Sequence, residues 1–145
     1  MRISIASDIM PAMTRFPGPY SGIAYSLMRM VFAFLYLSHG LTWLFNAFGG
    51  RPIPLTPLLT TAGVIECICG TLMLMGLFTS WAAFIASGEM AVAYYIAHIP
   101  RGHIWPIQNG GEITVALCFG FLFIATFGSG PISVEALMGS SHRKG

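Results

Sequence analysis

The chain has 145 residues, of which 55% are hydrophobic and only 8% are charged, and its formal net charge is +2. A soluble domain usually has about a quarter charged residues, so this composition excludes an ordinary water-facing surface. The small, scattered positive charge gives no basis for nucleic-acid binding. Several apolar runs of about 18 residues or more indicate helices that span a lipid bilayer.

Residues 1–21 are predicted to form a tail at the membrane surface. Pro11, Pro17 and Pro19 interrupt any helix there. The segment also lacks the form of a signal peptide, because Asp8 follows only a short apolar run and no small-residue cleavage site comes after it. We therefore expect the membrane domain to begin near residue 22.

Four apolar spans follow, separated by two short breaks and, before the fourth span, by one long polar connection. They cover about residues 22–48, 57–78, 80–97 and 110–127. Thr56 and Pro57 favour the start of the second helix, as an N-cap followed by proline at the first helical position. Thr79 and Ser80 predict a very tight turn, which would make the second and third spans antiparallel neighbours. Residues 131–145 are predicted to form a short tail in which Ser133 caps an amphipathic turn.

The predicted fold is all-α. In lipid, every backbone polar group must find a partner within the protein, which leaves a helical bundle as the architecture for residues 22–130. We expect an integral membrane four-helix bundle, up-down and antiparallel, with both termini on one side. The positive-inside rule places the termini in the cytoplasm, because four basic residues lie on their side and two lie opposite. The terminal segments contain Arg2, Arg15, Arg143 and Lys144, and the opposite loops contain Arg51 and Arg101.

Ionisable side chains within the spans are the main functional signal. Such groups cost a few kcal/mol at bilayer depth, so they normally face the bundle interior and pair. Counting a rise of about 1.5 Å per residue places Arg29 near the cytoplasmic side and Glu89 near mid-membrane. The other four fall toward the outer leaflet, beneath the polar connection 98–112, and form the predicted polar pocket. They are His39, Glu66, His98 and Glu112.

Structural alternatives remain open for these residues. His39 and Glu66 could hydrogen-bond each other merely to satisfy buried polarity, and Arg29 could pair with Glu89 or extend toward the interface. Two further residues of the connection have structural interpretations. Asn109 fits a capping box in which Glu112 reaches back to its amide, and Trp105 is typical of an interfacial anchor.

Metal and dithiol chemistry are not predicted. His98 and His103 stand five positions apart in a Pro/Gly-rich connection, which is weak spacing evidence for a metal site. The three cysteines, Cys67, Cys69 and Cys118, form no C-x-x-C pair. We interpret them as buried small apolar side chains.

A set of short motifs along the chain resembles the DoxX family of small bacterial and archaeal four-span membrane proteins. The motifs are Arg29 and His39-Gly40, Ala62-Gly63-Val64-Ile65-Glu66 with Gly70 and Gly76-Leu77, Ala93-Tyr94, His98-Ile99-Pro100, Trp105-Pro106, Asn109-Gly110-Gly111-Glu112 and the stretch from Gly128 to Ser133. The pairing of A-G-x-x-E with N-G-G-E is the more specific part of the resemblance. Two positions depart from the family pattern: Glu135 stands where aspartate is usual, and Glu89 is not a typical family position. Glu89 is thus a candidate partner contact.

The resemblance implies a subunit or partner of a membrane redox system, such as a thiosulfate:quinone oxidoreductase, in the bacterial inner membrane. The function predicted is a redox- or quinone-linked membrane subunit whose polar pocket handles a quinone head group or a proton, through His39, Glu66 and Glu112. Because the chain has no haem, flavin or dithiol motif, we expect no cofactor held by the chain itself, and an accessory subunit rather than an independent enzyme.

The alternative is a non-enzymatic subunit that packs against, or helps assemble, a larger membrane complex. In either case the expected partners are the lipid bilayer and other membrane subunits or further copies of this chain. A small transporter is a weaker alternative, because four spans without a broken helix leave little room for alternating access.

Overall fold

The computed structural model describes residues 18–49 and 54–142, and all of its regular elements are helical. The helices are α1 (Ser21–Phe45), α2 (Pro57–Met75), α3 (Thr79–Ala93), α4 (Pro106–Asn109), α5 (Glu112–Phe127) and α6 (Val134–His142). The basic residues behind the predicted orientation, apart from Arg101, lie outside the described residues, as does most of the predicted N-terminal tail.

Three helical segments are long and apolar enough to cross a bilayer. They are α1, α2 and the continuous stretch Thr79–Arg101, in which α3 is extended by a π-helical turn, Tyr94–His98, and a 3-10 turn, Ile99–Arg101. α5 is also apolar, but its 16 residues extend about 24 Å, less than the hydrocarbon thickness of about 30 Å. The predicted all-α fold is confirmed for the described residues, while the four-span bundle stays a prediction because α5 is the shorter helix.

Capping explains where α2 begins and ends. Thr56 accepts a hydrogen bond from the Leu59 amide at 3.2 Å, and Pro57 occupies the first helical position, so the predicted start is confirmed. The helix ends at Gly76, whose φ of +70° is a conformation that glycine adopts without steric cost.

The tight turn between α2 and α3 comes earlier than the sequence predicted. It consists of Gly76, Leu77 and Phe78, and Thr79 and Ser80 are already helical. The Thr79 side chain is fully buried. The prediction placed the turn at Thr79 and Ser80 because these are common turn residues, whereas the glycine at Gly76 determines where the chain reverses.

The capping box predicted at Asn109 is wrong. α5 begins at Glu112, and Gly111 occupies the N-cap position without a side-chain cap. Asn109 instead ends the short α4 and accepts a hydrogen bond from the Gly111 amide at 2.9 Å. Its side chain therefore orders the connection rather than the start of α5. At the other end of α5, Ser133 accepts a hydrogen bond from the Ala136 amide at 3.1 Å, which confirms its predicted capping role.

Helix packing places α1 against α2, α2 against α3, and α3 against α5, with α1 also touching α5. Glycines bring α1 and α2 unusually close. A Cβ at Gly40 would lie 2.8 Å from the Gly63 carbonyl oxygen, and one at Gly70 would lie 3.0 Å from Leu37 Cα. Such contacts between small residues replace the hydrophobic effect as a packing force in lipid.

The core lies between these helices and contains mostly small and aromatic side chains. Tyr36 and Phe121 are almost completely buried, and their rings meet edge to face with centroids 4.9 Å apart. Large apolar side chains such as Leu27, Phe84 and Phe119 point outward, as expected of helices whose outer faces contact lipid.

Candidate functional site

Three polar side chains from three helices meet in the interior. Tyr36 of α1 is 1% exposed, and its hydroxyl donates a hydrogen bond of 3.1 Å to Oε2 of Glu89 on α3. Glu66 of α2 is 3% exposed and lies near enough to Glu89 for the two carboxyl groups to interact electrostatically. We call Tyr36, Glu66 and Glu89 the carboxyl centre.

Glu66 is the less satisfied of the two acids. The Trp43 side chain lies beside its carboxyl group, but Oε2 is buried and has no hydrogen-bond partner among the described residues. An acceptor left without a partner inside a protein costs about 1–3 kcal/mol, and more if it is charged. Within the described part of the chain, no cationic side chain pairs with either acid.

The face of α1 that meets α2 builds the centre. Tyr36, Gly40 and Trp43 follow one another at spacings of four and three residues, so they share one side of the helix. Gly40 lets α1 approach the backbone of α2 at Cys67, whose amide nitrogen would lie 2.9 Å from an added Cβ. This approach brings both aromatic side chains to the level of Glu66.

One side of the centre opens toward the outer surface of the helices. Glu89 is only half-buried, and the neighbouring Ile85 and Gly88 are exposed. A Cβ added to Gly88 would meet no atom within 4 Å. Among the described residues, nothing therefore covers the surface beside Glu89.

Of the four residues of the predicted polar pocket, only Glu66 lies in the carboxyl centre. His39 is exposed, and its ring meets Trp43 edge to face at 6.4 Å. Glu112 is exposed as the first residue of α5. Among the residues that the structure describes, no hydrogen bond joins any two of the four, and the alternative pairing of His39 with Glu66 is not formed.

His98 takes part in an ordered connection instead. Its Nε2 lies 3.1 Å from Thr114 Oγ1, and its Nδ1 lies 3.3 Å from the Asn109 carbonyl oxygen. Its ring also stacks on Tyr94 at 5.9 Å. These contacts tie the π-helical turn to the start of α5.

Asn109 is the centre of that connection. Its side-chain nitrogen donates to the Tyr94 hydroxyl at 3.1 Å and to the His103 carbonyl at 2.9 Å, and it is 3% exposed. Arg101 donates to the Asn109 carbonyl at 2.9 Å. Trp105 is 66% exposed, as an interfacial anchor would be.

Arg29 is fully buried at the opposite end of the helices. It donates to the Met73 carbonyl at the end of α2 and to the Ile132 carbonyl at 2.6 Å. The alternatives of a pair with Glu89 or of extension toward the interface are not formed, because the guanidinium is held between α2 and the segment before α6. Its electrostatic partners are Tyr25 and Glu135.

Two further side chains complete this region, which we call the arginine clamp. Tyr25 donates to the Gly128 carbonyl at 2.5 Å, and Ser26 accepts a hydrogen bond from the Ile132 amide at 3.3 Å. The clamp consists of Tyr25, Ser26 and Arg29 with the carbonyl groups that they bind. It therefore joins the start of α1 to the end of α2 and to the 128–132 segment.

Sequence reasoning missed Tyr36 and separated Glu89 from Glu66. Depth counting alone assigned the two acids to different levels. The signal available was the shared face of Tyr36, Gly40 and Trp43, since a buried tyrosine needs a partner for its hydroxyl.

Comparison with known proteins points to one family. The DoxX family model matches residues 24–99, which include the whole carboxyl centre. An uncharacterized protein of Haemophilus influenzae is 36% identical over 116 residues, which cover 76% of this chain and 87% of that protein. No solved structure matches the chain.

Proposed function

We propose that this chain, which belongs to the DoxX family of membrane proteins, is a subunit associated with a redox or quinone-linked electron-transfer complex. In this proposal the carboxyl centre receives the quinone head group. The observation that carries it is the buried, unpartnered oxygen of Glu66 beside the hydrogen-bonded pair of Tyr36 and Glu89.

The chemistry of the centre suits both forms of such a ligand. A carboxylate accepts hydrogen bonds from the two hydroxyl groups of a quinol, while a protonated carboxyl group or a tyrosine hydroxyl donates to a quinone carbonyl. The half-buried side of Glu89 supports access from the bilayer, where quinones dissolve. Electrons would come from a partner redox subunit, because the chain itself contributes hydrogen bonds and proton-binding groups.

We also propose the membrane arrangement predicted from the sequence. The chain would be a multi-pass protein of the bacterial inner membrane, with α5 as the fourth span and both termini cytoplasmic. The ordered connection around Asn109 would then cover the outer end of the helices. A C-terminal fusion to a reporter that is active only in the cytoplasm tests this; inactivity of the reporter would contradict it.

Glutamine substitutions test the quinone site. In purified protein, Glu66→Gln and Glu89→Gln should each weaken binding of a short-chain quinol analogue about three- to tenfold, since each removes a carboxyl oxygen that can accept a quinol hydroxyl and one hydrogen bond is worth about 0.5–1.5 kcal/mol. The same variants should slow quinone-linked respiration in membranes. The matched control is Glu112→Gln, which removes an exposed carboxylate and should change neither measurement.

Unchanged binding and respiration in folded Glu66→Gln and Glu89→Gln would contradict the proposal. The alternative, a non-enzymatic assembly subunit, would then be favoured, and copurification with other membrane subunits would test it.

A further inference from the structure

Within the part of the chain that the structure describes, the carboxyl centre has two acids and no cation to compensate them. Glu66 and Glu89 interact electrostatically within the helical interior. The one arginine buried among the described residues, Arg29, is bound to the carbonyl groups of Met73 and Ile132. Two adjacent uncompensated carboxylates at bilayer depth would each bear a large desolvation cost and would repel each other. No cation among the described residues supplies the compensating positive charge, which leaves a proton bound at the pair to do so.

The hydrogen bonds distinguish the two acids. Glu89 accepts a hydrogen bond from the Tyr36 hydroxyl on Oε2, and an accepted hydrogen bond stabilises the ionised form. Glu66 Oε2 is buried and has no hydrogen-bond partner in the described part of the chain. A neutral carboxyl group avoids the larger cost of a buried charge: Trp43 can donate to one oxygen, and the other oxygen can hold a proton.

We infer that the carboxyl centre binds one exchangeable proton, held by Glu66, while Tyr36 keeps Glu89 ionised. The inference rests on the proposed function for the role of this proton in quinone chemistry. Tyr36 is a positioning residue here, because it acts on the proton through Glu89. The proton site would be empty only when the pair carries both negative charges.

Few other titratable groups face the pair. Tyr36 approaches from α1 and Glu89 from α3, while Cys67 and Cys69 lie beside Glu66 on α2. From α5, Cys118 is close to Ser87, whose hydroxyl donates to the Cys118 carbonyl oxygen at 2.8 Å. None of these groups is a cation, so none can replace the proton as the compensating charge.

A multivalent metal ion does not fit the donor set. Within the described residues, no three histidine, cysteine, aspartate or glutamate side chains group as a metal site. Two carboxyl groups and a tyrosine hydroxyl provide fewer oxygen ligands than calcium or magnesium requires. A proton needs only one carboxylate oxygen.

Infrared spectroscopy of the full chain tests the inference directly. The carbonyl stretch of a protonated carboxyl group is separate from the bands of a carboxylate, and a detergent without ester groups leaves that region clear. Without quinone at neutral pH, we expect a protonated-carboxyl band that shifts in heavy water. Glu66→Gln should abolish it, whereas Glu89→Gln and Glu112→Gln should retain it.

Several results would overturn the inference. They are absence of the band in the unsubstituted protein, its survival in folded Glu66→Gln, and its loss when sodium replaces choline at constant pH, which would identify a sodium site. Circular dichroism establishes that each variant keeps its helix content. Since no quinone is present, a band without quinone binding would defeat only the proposed function, and quinone binding without a band would defeat only the proton site.

Tyr36→Phe tests the positioning role. Without the hydroxyl, Glu89 loses its donor, so the proton should distribute between two inequivalent carboxyl groups and the single band should split into two components. Adding Glu66→Gln or Glu89→Gln to Tyr36→Phe assigns each component. A band identical to that of the unsubstituted protein would exclude a positioning role for Tyr36, because a purely structural hydroxyl would leave the proton on Glu66.

Discussion

The arginine clamp and the carboxyl centre both hold ionisable side chains away from water, but they satisfy them differently. Arg29 is surrounded by carbonyl oxygens from the end of α2 and from the segment before α6. The end of a helix presents unpaired carbonyl groups and a partial negative charge, both of which suit a guanidinium. The arginine clamp therefore satisfies both partners, because Arg29 needs acceptors and the carbonyl groups at the end of α2 need donors.

In the carboxyl centre, no helix end is present to satisfy the buried side chain in this way. Glu66 lies within α2, where backbone groups already bond one another, so only side chains can satisfy it. Trp43 reaches its carboxyl group, and Oε2 has no partner among the described residues. The difference suggests that a buried charge satisfied by backbone groups is structural, whereas one left short of partners is available for a ligand or a proton.

Removing the guanidinium should have the largest effect on stability. Arg29→Ala deletes the hydrogen bonds to Met73 and Ile132 and leaves both carbonyl groups buried without this donor. We expect the free energy of unfolding to fall by about 3 kcal/mol or more. Reversible unfolding in mixed micelles, followed by circular dichroism, measures the change.

Arg101→Ala is the matched control for the arginine clamp. Arg101 is exposed and donates to a single carbonyl group, that of Asn109, so its removal should cost much less. An equal loss in the two variants would show that Arg29 contributes no more than a surface arginine and would break the comparison between the two regions.

Adding a methyl group at Gly76, which lies next to the arginine clamp, should lower the stability of the protein. In Gly76→Ala the new Cβ would collide with Ser133 and lie 2.8 Å from an Arg29 guanidinium nitrogen, at a φ of +70°. Backbone strain of this kind costs about 1–3 kcal/mol, and the collision adds to it. We expect a lower midpoint of thermal unfolding in detergent.

Gly102→Ala separates strain from collision. Gly102 also has a positive φ, +98°, but an added Cβ there would meet nothing within 4 Å. The greater loss should therefore occur at Gly76. Equal unfolding midpoints for the two variants would contradict this prediction, because they would show that the contact with Ser133 and Arg29 adds no loss of stability.

Local signals in the sequence predicted helix starts well. The residues next to Thr56 and Ser133 predicted that each would cap a helix, and both do. Such predictions succeed because a cap depends on only a few consecutive residues. The residues after Asn109 also fit an N-cap, yet its side chain donates hydrogen bonds to Tyr94 and His103 instead. The competing partners come from a distant helix and a loop, which a local pattern cannot reveal.

The carboxyl centre was harder to predict, because it depends on helix rotation as well as depth. Counting residues estimates only depth, whereas His39 comes directly before Gly40 on α1 and its side chain is exposed. The buried face of α1 instead follows Arg29, Ala33, Tyr36 and Gly40. That spacing of four, three and four residues was present in the sequence.

Glu66→Gln should have the smallest effect on stability and gives the sharpest contrast with Arg29. Glutamine preserves the shape of the side chain, still offers an oxygen to Trp43, and carries no charge that must be compensated. Because buried ionisable groups contribute little net stability and their neutral replacements are often tolerated, we expect the free energy of unfolding to change by about 1 kcal/mol or less. The amide nitrogen can also donate to Glu89, which would offset part of any loss.

The micelle-unfolding experiment used for Arg29→Ala also measures the effect of Glu66→Gln, with Glu112→Gln as the exposed control. A loss as large as that of Arg29→Ala would mean that Glu66 holds α1, α2 and α3 together, and its unpartnered oxygen would then indicate a strained structural contact instead of a binding site.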